Sequence, residues 1–230
     1  ESDCVQSDKR RSISQNYCRW LLCSRRLLDV QLTQNDFSLK DSVQISISNS
    51  LVAIKGRVLD LQSATSQSGV ERIVRMFCQW STFLSSDGFA RLEYSGPDLP
   101  LVGFSRTAQS CVFWSRPTIP HVTVVGESAR PADHPDMLFF QGANNAYDPQ
   151  VTTFCQTEQN SYRIKVYSYR EAIQEGWLVE RGNERAISWA KPLQLNLGFH
   201  STEVSDFALT PTHFVPGFQS PSNPRTGDLP

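Results

Sequence analysis

Apolar and polar residues alternate with a period of two along many short segments of this chain. In residues 42–48 the three apolar side chains point to one face and the Ser and Gln side chains to the other, and residues 193–197 repeat the pattern. Such alternation is typical of a half-buried β-strand. Most of the strands that we predict show this alternation. They lie at residues 27–33, 42–48, 51–58, 89–94, 111–114, 121–125, 137–141, 151–155, 162–167, 186–190 and 193–199.

Turn residues separate these segments, among them Asp87-Gly88, Gly96-Pro97 and Asp148-Pro149. Helical spacing is scarce. Residues 70–80 place apolar side chains at i, i+3, i+4 and i+7, which predicts a helix, and residues 170–175 predict one further helical turn. Strands and helices do not alternate, so a parallel sheet is not expected. About ten strands with irregular turns instead predict an all-β, antiparallel sandwich or barrel.

Both ends of the chain differ from the middle in composition and periodicity. Residues 1–26 are polar and basic, and the spacing of Tyr17, Trp20, Leu21, Leu27 and Leu28 predicts an amphipathic helix that packs on the domain or on a neighbour. Residues 215–230 are rich in proline and lack periodicity. We therefore divide the chain into an N-terminal arm (1–26), a sandwich domain (27–214) and an extended C-terminal tail (215–230).

Composition narrows the choice of function. The net charge of −1 argues against RNA binding by bulk charge, although 17 of the 22 basic residues are Arg, which suits contact surfaces. The six cysteines are too widely spread for a small disulfide scaffold and are interpreted as reduced thiols. No apolar run approaches the roughly 18 residues of a membrane span. The first residue, Glu1, fits either a cleavage product of a longer polypeptide or a trimmed chain.

The familiar catalytic and metal-binding arrangements are weak or absent. Residues 103–107 begin like a nucleophile elbow but lack its closing Gly, and residues 133–136 offer two carboxylates beside His134. Cys18 and Cys23, with Cys4 upstream, resemble half of a zinc site. Residues 162–170 interleave Tyr and Arg, as a nucleic-acid stacking platform would, but a strand with one buried face explains them better. We therefore predict no enzyme activity, no catalytic residue, no cofactor and no metal.

Three stretches, taken in order, resemble coat proteins of picorna-like positive-strand RNA viruses. Residues 75–81 (Arg-Met-Phe-Cys-Gln-Trp-Ser) are similar to a segment that closes a short helix in that family, with Thr82 where Gly is usual. Residues 140–163 are similar to a family strand, although Phe154-Cys155 lacks the preceding Pro. Residues 193–199, followed by Asp206-Phe-Ala-Leu209 and Pro211, resemble the last strand and its exit.

The resemblance implies an eight-stranded antiparallel jelly roll with short helices in its loops. It implies a structural subunit cut from a polyprotein, assembled in the host cytoplasm and located in the virion. Its partners would be other coat subunits, weakly bound genomic RNA, and a receptor or vector. The residues assigned to RNA phosphate contact are Arg10, Arg11, Arg25 and Arg26.

Two other functions remain open at this point. A jelly-roll carbohydrate-binding module would use exposed Trp and Tyr side chains to stack on sugar rings, and it would remain a monomer. An enzyme on the same fold is less favoured, because the sequence lacks a pair of His residues one position apart on a strand. Particle size separates a coat protein from both.

Overall fold

The structure is a computed structural model that describes residues 13–15, 19–23, 26–32, 43–64, 72–95, 102–126, 138–148, 152–159, 163–182, 187 and 189. One short helix, α1 (Tyr169–Gln174), accompanies a succession of strands. The strands are β1 (Ile13–Gln15), β2 (Arg19–Cys23), β3 (Arg26–Leu32), β4 (Val43–Ser48), β5 (Ser50–Ile54), β6 (Arg57–Ala64), β7 (Arg72–Gln79), β8 (Thr82–Ser85), β9 (Ala90–Ser95), β10 (Val102–Gln109), β11 (Val112–Ser115), β12 (Val122–Val125), β13 (Leu138–Ala143), β14 (Ala146–Tyr147), β15 (Thr153–Gln159), β16 (Arg163–Ser168) and β17 (Leu178–Arg181).

The strands form a three-sided parallel β-helix, in which successive strands belong to three different sheets. Sheet A has the order β1-β4-β7-β10-β13-β17, sheet B has β14-β11-β8-β5-β2, and sheet C has β16-β15-β12-β9-β6-β3. Every third strand therefore returns to the same sheet, beside its predecessor and parallel to it. Among the described pairs only β15 and β16 run antiparallel.

The expected antiparallel jelly roll is wrong. Its premise was that parallel neighbours need a helical crossover, but here each crossover consists of two strands in the other two sheets. The predicted helix at residues 70–80 is also wrong, because residues 72–79 form β7, whose side chains alternate between the core and the outside. The helix expected near residues 17–28 is replaced by β2 and the start of β3. The helical turn expected at residues 170–175 is confirmed as α1.

Tight corners between sheets A and B explain how one coil stacks on the next. Four corner residues have a left-handed backbone, with φ of 43° at Asn49, 45° at Trp80, 53° at Ser110 and 57° at Asn144. The backbone N–H of each donates to a carbonyl of the following coil, as in Trp80 to Gln109 (3.0 Å). Asn145 adds side-chain bonds, accepting from Cys111 N and donating to Ala108 O. Backbone pairing thus continues through the bend.

The core fills the interior of the β-helix and receives one residue in two from each sheet. Aromatic rings stack from coil to coil along sheet B, with Phe83 and Phe113 5.3 Å apart and Phe113 and Tyr147 5.2 Å apart. Sheet B is apolar on its outer side too, where Leu51, Ala53 and Leu84 are buried against Trp114 and Trp189. Burial on both sides explains why residues 51–54 of β5 are a continuous apolar run without alternation.

The C-terminal end of the described β-helix is closed by β16, α1 and β17, which we call the cap. Ser168 and Glu171 form a capping box at the start of α1, and Ala172 turns into the core. Trp177 is buried beside Tyr167, with ring centroids 4.8 Å apart. No helix in the described part of the chain is long and apolar enough to cross a membrane.

Gly142 is expected to be intolerant of any side chain. A Cβ at this position would lie 1.7 Å from the Ala108 carbonyl oxygen, at a φ of 149°. We expect Gly142→Ala to lower the free energy of unfolding by about 3 kcal/mol or more, measured by denaturant unfolding. Gly176→Ala is the control, because its φ is also positive (78°) but nothing lies within 4 Å of the added Cβ. It should cost only about 1 kcal/mol, and equal losses would contradict the steric explanation.

Candidate functional site

The site residues predicted from sequence are not brought together by the described structure. Arg10, Arg11 and Arg25 lie outside the described residues, and Arg26 is the first residue of β3, where only the backbone is described. Cys4, Cys18 and residues 133–136 also lie outside. Residues 103–107 are part of the straight strand β10, so no nucleophile elbow forms there. The described residues contain no cluster of His, Cys, Asp or Glu suited to a metal ion.

A charged side chain that the sequence pattern did not reveal lies in the middle of the core. Arg106 occupies an inward position of β10, in register with Met76 on β7 and Phe140 on β13, and is 0% exposed. Its guanidinium carbon lies 4.0 Å from the centroid of the Phe113 ring and 4.8 Å from that of Phe140. Arg106 therefore takes a place in a stack that neighbouring coils fill with apolar side chains.

Three polar side chains pair with this guanidinium. Arg106 Nη2 donates to Glu180 Oε1 at 3.0 Å and also to the Tyr147 hydroxyl, which itself lies 2.9 Å from Glu180 Oε2. Arg106 Nη1 lies 2.7 Å from His121 Nε2. Because a guanidinium can only donate, Nε2 must accept, which places the proton of a neutral imidazole on Nδ1.

Electrostatics support a fixed protonation state for this cluster. Burial, reinforced by the Arg106 charge, holds the pKa of His121 well below its usual range. Burial raises the pKa of Tyr147, with Arg106 opposing and Glu180 adding to that rise. Burial lowers the pKa of Arg106, but Tyr147 and Glu180 outweigh it and the net shift is upward. The cluster thus holds a charged Arg, a neutral His and a neutral Tyr at neutral pH.

His, Tyr, Glu and Arg are residues that enzymes use, but in the described part of the chain the side chains of this cluster are buried. The Glu180 side chain is 1% exposed and His121 is 3% exposed. Glu180 lies on β17, in register with Gly142 of β13, and its carboxylate reaches Arg106 on β10. The cluster therefore joins β10 to the cap and has a structural role.

The accessible candidate is the outer surface of sheet A. We call it the sheet A face. It comprises the outward side chains of five neighbouring strands, namely Gln44, Ser46 and Ser48 of β4, Ile73, Arg75, Phe77 and Gln79 of β7, Ser105, Thr107 and Gln109 of β10, Phe139, Gln141 and Ala143 of β13, and Val179 and Arg181 of β17.

Two aromatic rings are exposed on the sheet A face. Phe77 is 41% exposed and Phe139 is 36% exposed. Phe77 is in register with Thr107 and Gln141, and Phe139 lies two residues before Gln141 on β13. The hydroxyl-bearing strand β10 runs between the two rings, and Gln141 Nε2 donates to Thr107 Oγ1 at 2.9 Å. The face thus combines exposed rings with amides and hydroxyls on a rigid parallel sheet.

The other two outer surfaces differ from this one. That of sheet B is apolar and buried. That of sheet C carries charges of both signs, with Arg91 paired to Glu93 at 3.1 Å, and its exposed large apolar side chains are the aliphatic Ile164 and Val166. The sequence contained a signal for the sheet A face in the alternation of Arg75, Phe77 and Gln79 along β7, but helical spacing in the same residues masked it.

We expect removal of one charge of the buried ion pair to destabilise the protein more than removal of both charges. Glu180→Gln leaves the Arg106 charge buried without its counter-charge, so the free energy of unfolding should fall by about 3 kcal/mol. The triple variant Arg106→Met, Tyr147→Phe, Glu180→Met removes both charges and the hydroxyl between them, and should be less destabilised than Glu180→Gln. Denaturant unfolding measures both. A loss of less than about 1 kcal/mol for Glu180→Gln would contradict the role given to the pair.

We expect His121 to lower the free energy of unfolding as the pH falls. Its folded pKa is depressed, so the unfolded chain takes up a proton that the folded chain does not, and stability declines as pH falls below about 6.5. The contribution is about 1.4 kcal/mol per pH unit for one proton. His121→Gln keeps an acceptor for Arg106 but does not titrate, so its unfolding free energy should decline less between pH 7 and pH 5.5. Parallel declines in the two proteins would refute this.

The sheet A face has to be interpreted from its own residues. No family model matches this chain, and no curated protein or solved structure matches it.

Proposed function

We propose that this chain is a carbohydrate-binding module that holds an extended glycan across the sheet A face. The observation that carries the proposal is the pair of exposed rings, Phe77 and Phe139, on one flat surface whose other side chains are mainly amides and hydroxyls. Aromatic rings stack on the apolar faces of sugar rings, while amides and hydroxyls exchange hydrogen bonds with sugar hydroxyls. Both kinds of group are needed to bind a ligand that is apolar on its faces and polar at its edges.

The spacing of the rings suits a linear ligand. The strands β7 and β13 are two strand spacings apart, roughly 10 Å, and the two-residue offset adds roughly 7 Å along the strand direction. The line between the rings therefore crosses the face diagonally and passes over β10, where Ser105 and Thr107 are half-buried. A glycan lying along this diagonal would place different sugar units over the two rings and their hydroxyls over β10.

Rigidity favours binding by such a surface. The two rings lie on β7 and β13, each of which is hydrogen-bonded to a strand on both sides, so the backbone that carries them needs no ordering on binding. The proposal retains the sugar-stacking hypothesis from the sequence, but on a parallel β-helix in place of a jelly roll. The rings are Phe, whereas the sequence had directed attention to Trp and Tyr.

Binding should depend on both rings. We expect Phe77→Thr and Phe139→Thr each to weaken the binding of a glycan selected from a polysaccharide array by roughly tenfold, since each removes one stacking surface while retaining a residue that favours strands. Ile164→Thr is the matched control, because Ile164 is 62% exposed on β16 in sheet C, off the face. Affinity is measured by calorimetry, with circular dichroism to verify folding.

Two outcomes would overturn the proposal. One is the absence of binding to any polysaccharide on the array. The other is unchanged affinity when Phe77 and Phe139 are both replaced in a folded protein.

The viral coat function stays a prediction, as do the virion location, the coat and RNA partners and the absence of enzyme activity. Its jelly roll is wrong, and the first of its three motifs lies on strand β7 and the corner after it, not at the end of a helix. The third motif lies outside the described residues. Electron microscopy of particles from the natural source, with mass spectrometry to identify this chain, separates the two functions, because a binding module does not build a shell.

A further inference from the structure

We infer that the glycan bound by the sheet A face is acidic and carries repeated carboxylate or sulfate groups, which Arg75 and Arg181 bind. The inference rests on the proposed function and specifies its ligand class. It starts from the charges of the face. In the described strands of sheet A the outward side chains include these two Arg residues and no Asp or Glu. The acidic residue of β17, Glu180, points inward to Arg106 and leaves the face positive.

The two guanidiniums are available to a ligand. Arg75 and Arg181 are exposed, and neither forms an ion pair with another described residue. The Arg residues of sheet C contrast with them. Arg91 pairs with Glu93 at 3.1 Å, and Arg57 lies 4.0 Å from Asp60. Both Arg residues of sheet C whose side chains are described thus have a carboxylate nearby, whereas on the sheet A face the carboxylate has to come from elsewhere.

The positions of the two Arg residues match those of the rings. Arg75 lies two residues before Phe77 on β7 and in register with Ser105 and Phe139. Arg181 lies on β17, one strand beyond Phe139. Three strand spacings and four residues separate the two Arg residues, which amounts to roughly 20 Å. A single acidic group cannot bind both Arg residues at this separation. The ligand that pairs with both is therefore a chain with acidic groups on several of its units.

Guanidinium chemistry fits such groups. Its planar fork donates two parallel hydrogen bonds to a carboxylate or a sulfate, and it is more weakly hydrated than an ammonium. The neighbouring Gln and Ser side chains add neutral donors without introducing repulsion. The face therefore offers stacking, hydroxyl recognition and two points of anion recognition to one extended ligand.

The test compares ligands that differ only in charge. Calorimetry at low salt would use a polyuronate and its carboxyl-reduced form, and dextran sulfate and dextran. We expect the acidic member of at least one pair to bind at least tenfold more tightly than its neutral partner, with the preference declining as salt is added. Whichever acidic member binds identifies the carboxylate or the sulfate as the group recognised.

Variants locate the preference on the face. Arg75→Gln and Arg181→Gln should each weaken binding of the acidic ligand by roughly threefold to tenfold and leave binding of the neutral one unchanged. Arg116→Gln is the control, because Arg116 is equally exposed but lies between β11 and β12, at the corner of sheets B and C. A similar loss in this control would show that only net charge matters and would overturn the inference.

The remaining outcomes separate this inference from the proposed function. Equal affinity for acidic and neutral ligands, still dependent on Phe77 and Phe139, overturns the inference and retains the glycan-binding function. Failure of every polysaccharide overturns both. Single-stranded RNA is included as a competing polyanion. If it binds more tightly than any polysaccharide and needs the same two rings, the face is a nucleic-acid platform and the glycan proposal is wrong.

Discussion

The ion pair between Arg106 and Glu180 is the interaction on which the end of this β-helix depends. An isolated guanidinium among Phe89, Phe113 and Phe140 would be unstable, so the coil that contains Arg106 requires an anion inside the core. That anion comes from β17, the last strand of the cap. A shift of the cap by one residue is therefore excluded, since it would turn Glu180 outward and bring its neighbour Val179 or Arg181 inward.

The same constraint sets the residues around the pair. Gly142, in register with Glu180, has no room for a side chain because the Ala108 backbone lies against it, and the Tyr147 hydroxyl contacts the Glu180 carboxylate. His121 Nε2 accepts a hydrogen bond from Arg106 Nη1, and the His121 ring stacks on Phe89 and Phe154.

Much of the local structure was predictable from the sequence, and the topology was not. Period two identified β4, β9 and β12, because each has one apolar side facing the core. It failed for residues 51–58, which were expected as one strand, because the corner at Lys55 and Gly56 separates β5 from β6. It failed for β7, because apolar residues on both sides of a strand also satisfy helical spacing. Alternation reports which side chains are buried and not which strand is the neighbour.

The candidate site was hidden for a related reason. Phe77 and Phe139 are 62 residues apart in sequence, and they share a surface only because β7 and β13 belong to one parallel sheet. Arg106 was equally hidden, since a charged residue in an alternating segment is normally placed outside. Only its partner Glu180, 74 positions later, makes its burial possible.

The stacking of coils also determines how this surface can change in evolution. Each complete coil contributes one strand to every sheet, so duplication or deletion of a coil changes the sheet A face by one whole column of side chains. The corners are held by hydrogen bonds of the backbone, which leaves the outward side chains free to diverge. In a protein built in this way, the number of coils sets the width of the face in discrete steps. The outward side chains of each coil set the chemistry of the face separately.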